Sequence, residues 1–310
     1  MNKNLLRLLD SHSPPKPALI NQYKRQDVFR CMHDSHDRFN NAVSVYHVLK
    51  VKNCFPDGCT FFRWKCRNLN KGIPCHKKFQ HVGRLCFSCR YFYDIKEVNR
   101  PEFTFGEKEF QLFQNELRDF ESWLDSVQGK QVELSGKITS VKPEFILKKG
   151  NKRDQVLLDG FLLTLNECFI NLIHFKDQVY APISIGAQNR LHYAREDSID
   201  CRGYFTVSNG MIIIRSIKGV EITESKSPEF WTESRARVVQ KTGSVLPRQC
   251  FACYSCDRSS LLQVISDAMP AARPRALFCF EGVTEPDLCG YRAGRLLTFA
   301  CPHDEFDVIV

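Results

Sequence analysis

Val132-Glu-Leu-Ser-Gly-Lys-Ile-Thr-Ser-Val141, a basic tip from Lys148 to Arg153, and Gln155-Val-Leu-Leu-Asp-Gly-Phe-Leu-Leu-Thr164 decide how this chain is read. Two apolar stretches separated by a polar tip have the pattern of strand, turn, strand. A third apolar run, Cys168 to Ile173, leads through Gln178 to Ser184, and a polar, helix-compatible stretch spans Gly186 to Arg195. Ile199 to Val207 and Met211 to Ile222 then flank Ser208-Asn-Gly210, whose Asn-Gly pair tolerates positive φ and favours a hairpin. Residues 129–223 are therefore expected to close into one five-stranded barrel, with Gly129 ending whatever precedes it.

Three strands, a short helix and two further strands, with Gly136, Gly160 and Gly203 inside strand patterns, resemble the OB-fold. Glycine weakens a strand unless the chain must bulge or bend there, which a small barrel requires. The resemblance covers about a third of the chain and rests on pattern, not on a signature motif. It implies binding of oligonucleotides or oligosaccharides on the face of the second and third strands, between the first-to-second and fourth-to-fifth strand loops. Those loops would be Lys142 to Asp154, carrying Lys142, Lys148, Lys149, Lys152 and Arg153, and Ser208 to Gly210. Lysines at a solvated hairpin tip also serve solubility, so this loop alone favours a phosphate ligand only slightly.

The chain has 310 residues and 15 cysteines, enough length for two domains and far too many thiols to be incidental. Its first residues do not form an apolar leader, and no apolar run reaches membrane-spanning length, so an intracellular protein, cytoplasmic or nuclear, not secreted and with no membrane partner, is expected. In a reducing compartment such cysteines are metal ligands or thiols sooner than disulfides. The formal net charge of +9 is unevenly spread. Residues 1–100 hold 19 Lys and Arg against 7 Asp and Glu, residues 101–127 hold 2 against 7, and the rest is close to balance. A positive field concentrated on one module points to a polyanionic partner.

Before the barrel, residues 1–26, with Ser13-Pro-Pro-Lys-Pro17, read as a flexible basic arm, and 27–100 as a basic cysteine-rich metal-binding module. Cys31, His33 and His36 read as a buried cysteine beside two surface histidines. Ala42 to Val51 alternates as a strand would. Six cysteines follow, Cys54, Cys59, Cys66, Cys75, Cys86 and Cys89, with His76 and His81. The two-residue gap of Cys86-Phe-Ser-Cys89 lets one tight turn place two sulfurs on one ion, and structural zinc needs four such ligands. The other spacings are irregular and leave an iron–sulfur cluster open. Arg63, Lys65, Arg67, Lys77, Lys78, Arg84 and Arg90 alternate with Phe61, Phe62, Trp64, Phe79, Phe87, Tyr91, Phe92 and Tyr93. Cations neutralise phosphates and aromatic faces stack on unpaired bases, so the mixture suits a single-strand binder. The same aromatics could also be the small core of the metal module.

Residues 101–128 carry Phe110, Phe113, Leu117, Phe120 and Leu124 at helical spacing among acidic residues, the pattern of one amphipathic helix. Beyond the barrel, 224–246 reads as a linker and 247–310 as a second cysteine-rich module. Two ligand sets compete there. Cys253 and Cys256 with Cys279 and Cys289 resemble a zinc ribbon, favoured because Ala276 to Phe280 reads as a strand delivering a ligand. Cys250, Cys253 and Cys256 with the distant Cys301 are similar to a ferredoxin-type set, from which the chain departs by placing Ser260 where a fourth cysteine would stand.

No phosphate-cradling glycine loop, dinucleotide fingerprint, His-Glu-x-x-His or nucleophile elbow occurs, and no Glu stands beside the cysteines as a zinc hydrolase or deaminase would require. The expected architecture is thus mainly β with one amphipathic helix, an OB-like barrel between two metal-binding modules holding about two zinc ions. The expected function is non-enzymatic binding of single-stranded DNA or RNA. An iron–sulfur redox protein, and an assembly subunit binding protein through its barrel or acidic helix, are the alternatives.

Overall fold

A computed structural model describes residues 18–150, 153–225, 229–247, 250–265 and 275–291. The described residues are mainly in strands, and they divide into two compact units, Gln22–Leu117 and the remainder.

In the first unit, β1 (Phe29–Arg30) pairs antiparallel with both β2 (Ala42–Val43) and β5 (Glu102–Phe103), while β3 (Cys59–Cys66) pairs antiparallel with β4 (Phe92–Asn99) in a separate two-stranded ribbon. The expected strand from Ala42 to Val51 stops at Val43. His47–Val51 forms a helical turn of the wide, π type, whose closing bond runs from the Lys52 N–H to the His47 carbonyl (2.9 Å). A small aromatic core fixes the unit: Phe29 meets Phe55 at 5.2 Å, Phe110 at 6.3 Å and Phe113 at 6.5 Å between ring centroids. Such pairs add about 0.5–1.5 kcal/mol each to area burial. Phe110 and Phe113 come from α1 (Glu107–Val127), whose first turn is closed by the Glu109 carboxylate accepting the Gly106 N–H (2.8 Å).

The rest of the α1 stripe belongs to the second unit, where Trp123 stacks on Phe175 at 5.7 Å and meets Phe205 edge-on at 5.3 Å. The strands of that unit are β6 (Gln131–Lys148), β7 (Gln155–Ile170), β8 (Ile173–Phe175), β9 (Val179–Ile183), β10 (Ser198–Ser208) and β11 (Met211–Glu224), with α2 (Ile185–Leu191) between β9 and β10. The order of pairing is β6-β10-β11-β9-β7, and β7 pairs back on β6. Only β9 with β11 is parallel in this circuit. Alternate residues of β10, Ile199, Cys201 and Phe205, are buried, and they join Leu134, Ile138, Leu163, Leu165, Ile212 and Ile214 in one apolar interior.

The β6–β7 register shifts between Glu144 and Phe145, opposite Gly160, where a Cβ would stand 2.3 Å from the Ile183 carbonyl oxygen. Only glycine allows that approach. Asn209 and Gly210, with φ of 53° and 75°, make the tight β10–β11 turn that the Asn-Gly pair predicts.

Residues 224–246, expected as a linker, instead contain α3 (Glu233–Thr242) and β12 (Ser244–Val245). The α3 helix is capped by Thr232, whose hydroxyl accepts the Arg235 N–H (3.2 Å). After α4 (Phe251–Tyr254), β13 (Ser259–Ile265) pairs parallel with β6, β14 (Arg275–Cys279) pairs with β13, and β12 with β14. Trp231, Val239 and Val245 pack on Phe145, Leu147, Leu262, Phe278 and Phe280. The described C-terminal strands therefore extend the main sheet from the far end of β6, and share a core with it, where the sequence suggested a separate module. The expected flexible arm also ends earlier than residue 26. Leu19 bridges to Phe175, the Asn21 amide donates to the Gly210 carbonyl (2.8 Å), and Gln22, Tyr23 and Lys24 are buried. Residues 1–17 lie outside the described residues.

Candidate metal centres and nucleic-acid interface

The cysteines of the first unit separate into two groups. Cys66 closes β3, and it lines one cavity with Cys75, Cys86, Cys89, His76 and His81. Two reverse turns carry the other three sulfurs: the Lys78 N–H donates to the Cys75 carbonyl (2.8 Å), and the Cys89 N–H donates to the Cys86 carbonyl (2.9 Å). Strand pairing then brings the second turn against the end of β3, since Cys66 lies opposite Phe92. The cavity lining contains no carboxylate. That donor set suits a closed structural site.

Cys54 and Cys59 stand elsewhere, hydrogen-bonded to each other, with Cys31 near both. Burial and the neighbouring thiol push Cys54 up to about 12. Cys31 is buried, as its sequence reading has it, and burial first pushes its thiol up. Nothing in the linear spacing could have joined Cys31 to this pair, because β1–β2 pairing and the His47–Val51 turn fold it there.

In the second unit Cys250, Cys256 and Cys279 all act on Cys253, and the Cys250 thiol is hydrogen-bonded to it. Burial and these neighbours push Cys253 up to about 12. The backbone N–H of Arg258 donates to the Cys256 sulfur (3.4 Å). Lys142 of β6 holds the turn through the Cys256 carbonyl (2.7 Å), and Ser259 hydrogen-bonds the Cys253 carbonyl. Cys253 and Cys279 pack on the Leu246, Tyr254 and Leu277 cluster. The quartet thus takes Cys250 from one expected set and Cys279 from the other. Cys289 follows the short turn Pro286–Leu288 and is not among the groups acting on Cys253. Cys301 lies outside the described residues. Among the described residues, no group of three or more His, Cys, Asp or Glu is arranged to hold a metal ion as it stands.

The β3–β4 ribbon sorts the basic and aromatic residues. Phe62 and Trp64 are exposed on one face, 56% and 40%, while Phe61, Arg63 and Lys65 alternate with them, half-buried. Phe87, 52% exposed, meets Trp64 edge-on at 4.8 Å, and Phe92 lies 5.2 Å from Phe87. Lys96 lies opposite Phe62, and Asp94 opposite Trp64. Arg67, Lys77, Lys78, Arg84 and Arg90 are exposed, with Arg90 over the Tyr91 ring at 4.6 Å. Arg63 is turned to other work: it is ion-paired to Asp34 (3.2 Å) and Glu97 (3.1 Å).

In the second unit the basic tip is smaller than expected. Lys142 lies inside β6, Lys148 ends that strand opposite Ile265, and Lys149 is paired with Asp154 (2.5 Å). Arg153 is exposed, and Lys152 lies outside the described residues. No helix among the described residues is long and apolar enough to cross a membrane. No protein-family model, curated protein or solved structure matches this chain.

Proposed function

We propose that this chain is a non-enzymatic, intracellular nucleic-acid-binding protein that holds single-stranded DNA or RNA on the β3–β4 ribbon. The observation that carries the reading is the exposed Phe62, Trp64 and Phe87 trio. It lies within a segment whose exposed cations include Arg67, Lys77, Lys78 and Arg84. Large aromatic rings left half in water forgo roughly half of the about 1.5–3 kcal/mol that full burial of such a side chain supplies. Bases can supply that burial, since a base stacked on an aromatic side chain is worth about 1–3 kcal/mol. Duplex DNA keeps its bases stacked on one another and offers the rings nothing comparable.

Zinc, in this reading, is structural. Cys66, Cys75, Cys86 and Cys89 would hold one ion, replacing a hydrophobic core that the local sequence is too polar to build, and Cys250, Cys253, Cys256 and Cys279 would hold another beside the Leu246, Tyr254 and Leu277 cluster. The β6-β10-β11-β9-β7 circuit supports an OB-type barrel, because its strand order, its one parallel pair and its helix between the third and fourth strands follow that plan. The barrel would act as the scaffold of the C-terminal metal site, whose Lys142 anchor is on β6. Fluorescence anisotropy with labelled single-stranded and duplex oligonucleotides of equal length tests the proposal. Preference for the single strand supports it, and equal or absent binding by metal-loaded protein overturns it.

A further inference from the structure

We infer that Cys31, Cys54, Cys59 and His47 form a third metal centre, for a zinc-type ion, distinct from the two four-cysteine sets. It rests on the reading of this protein as a metal-binding one, and goes beyond it in site, ligands and stoichiometry.

Three segments far apart in sequence bring the three thiols together, and His47 stands on the turn between β2 and Cys54. Cys31 follows β1, and its N–H donates to the Asn41 carbonyl (3.0 Å), beside the start of β2. From β2 the chain enters the His47–Val51 turn, and the Cys54 N–H returns to the carbonyl of Val48, the residue after His47 (3.0 Å). The Cys54 sulfur points the same way, 3.8 Å from that carbonyl. A tight turn then hydrogen-bonds the Gly58 N–H to the Cys54 carbonyl and sets Cys59, the first residue of β3, beside Cys54. A chain of rings closes the far side: His47 against His36 at 5.1 Å, His36 against His33 at 5.7 Å, and His33 against Phe61 of β3 at 4.5 Å.

Two of the thiols are buried, and the imidazole is unsatisfied. Cys31 and Cys54 are 3% and 4% exposed. His47 Nε2 is buried with no hydrogen-bond partner. An unmet buried imidazole nitrogen has given up its hydrogen bond to water for nothing, and coordination to a metal would remove that cost. His33 is the poorer ligand, because its Nδ1 already accepts from the Ser35 N–H (3.1 Å) and contacts the Ser35 hydroxyl (2.8 Å). Three thiols and one imidazole are a donor set that selects zinc over the harder divalent cations. The four donors are not closed on one point as they stand, so the ion would draw them in. Its effect would be to staple β1, the His47 turn and the base of β3, the strand that presents Phe62 and Trp64.

Metal analysis of the full chain, purified without oxygen, reads the stoichiometry. The expected result is about three ions per chain, one for each closed four-ligand set. Cys31→Ser and His47→Gln should each retain about two, and His33→Gln should retain all three. Because a ligand variant can fail to fold, alkylation of the wild-type chain is read in parallel. Cys59, only half-buried, should react roughly tenfold slower with metal than after chelation, as expected of a coordinated thiolate. Two ions per chain with Cys59 reactive before chelation would overturn this centre and leave the other two standing. No metal at all would overturn the metal reading as a whole.

Discussion

Trp64 and Phe87 meet edge to face, 4.8 Å between ring centroids, while each remains about half in solvent. Phe87 packs against the Trp64 ring and leaves part of it in solvent, which suits a pre-organised stacking platform. Trp64→Ala should weaken single-stranded oligonucleotide binding by about 1–3 kcal/mol, roughly 5- to 150-fold. The thermal midpoint should move little, since the ring is partly solvated. Anisotropy titration and a thermal melt on the same sample check both halves.

Arg63 separates the roles of the cations. Its guanidinium is committed to Asp34 and Glu97, so Arg63→Ala should leave the salt dependence of binding nearly unchanged. Lys77→Ala with Lys78→Ala removes two exposed charges instead. For single strands each lost phosphate contact should flatten the slope of log K against log salt by about 0.7. A pair of titrations across salt concentration distinguishes the two variants.

The Arg258 N–H bond to the Cys256 sulfur and the Cys250–Cys253 contact support the proposed metal at the end of β6. Stripping the metal should leave several thiols crowded in a half-buried pocket with no cation among them. The strands β12, β13 and β14 should then lose protection from hydrogen exchange while the β6-β10-β11-β9-β7 circuit keeps it. Cys256→Ser should produce the same regional loss. Uniform loss across both regions, or none, would speak against a local metal staple.

Much of the second unit is legible in its sequence because period-2 alternation and the Asn209-Gly210 turn are local signals. The strands from Val132 to Ile222 and the helix ending near Val127 appear close to where the pattern puts them. What lay hidden depends on partners distant in sequence. The run from Trp231 to Thr242 carries a capping threonine and Glu233 in its first turn, yet its apolar Trp231 and Val239 gain meaning only against the cluster of Phe145 and Phe280. Arg63 reads as a free cation until Asp34, 29 positions earlier, is brought beside it. The thiol groupings were legible only in part: the two-residue gaps at Cys86–Cys89 and Cys250–Cys256 are local, whereas strand pairing delivers Cys31.

Cys168 and Cys201 lie inside the apolar interior of the circuit, and burial, first among the causes, pushes both thiols up to about 12. They should resist iodoacetamide at mildly alkaline pH in the native protein and react only on unfolding. The folded value lies above the ordinary 9.0, so their contribution to stability is complete below pH 9. It is lost as pH rises toward about 12, because the unfolded chain alone gives up the protons. Peptide mapping after native alkylation, and melts between pH 8 and 11, check the two statements.

The central claim is that a basic, aromatic face grips a single strand. Its most direct test is the affinity of the metal-loaded chain for a single-stranded oligonucleotide, measured as a function of salt and repeated with Trp64→Ala. The account predicts affinity that falls linearly with log salt, and a Trp64→Ala line displaced downward with the same slope, because the variant loses stacking and keeps its phosphate contacts. Binding indifferent to salt, or a Trp64→Ala line superimposed on the wild type, would contradict it.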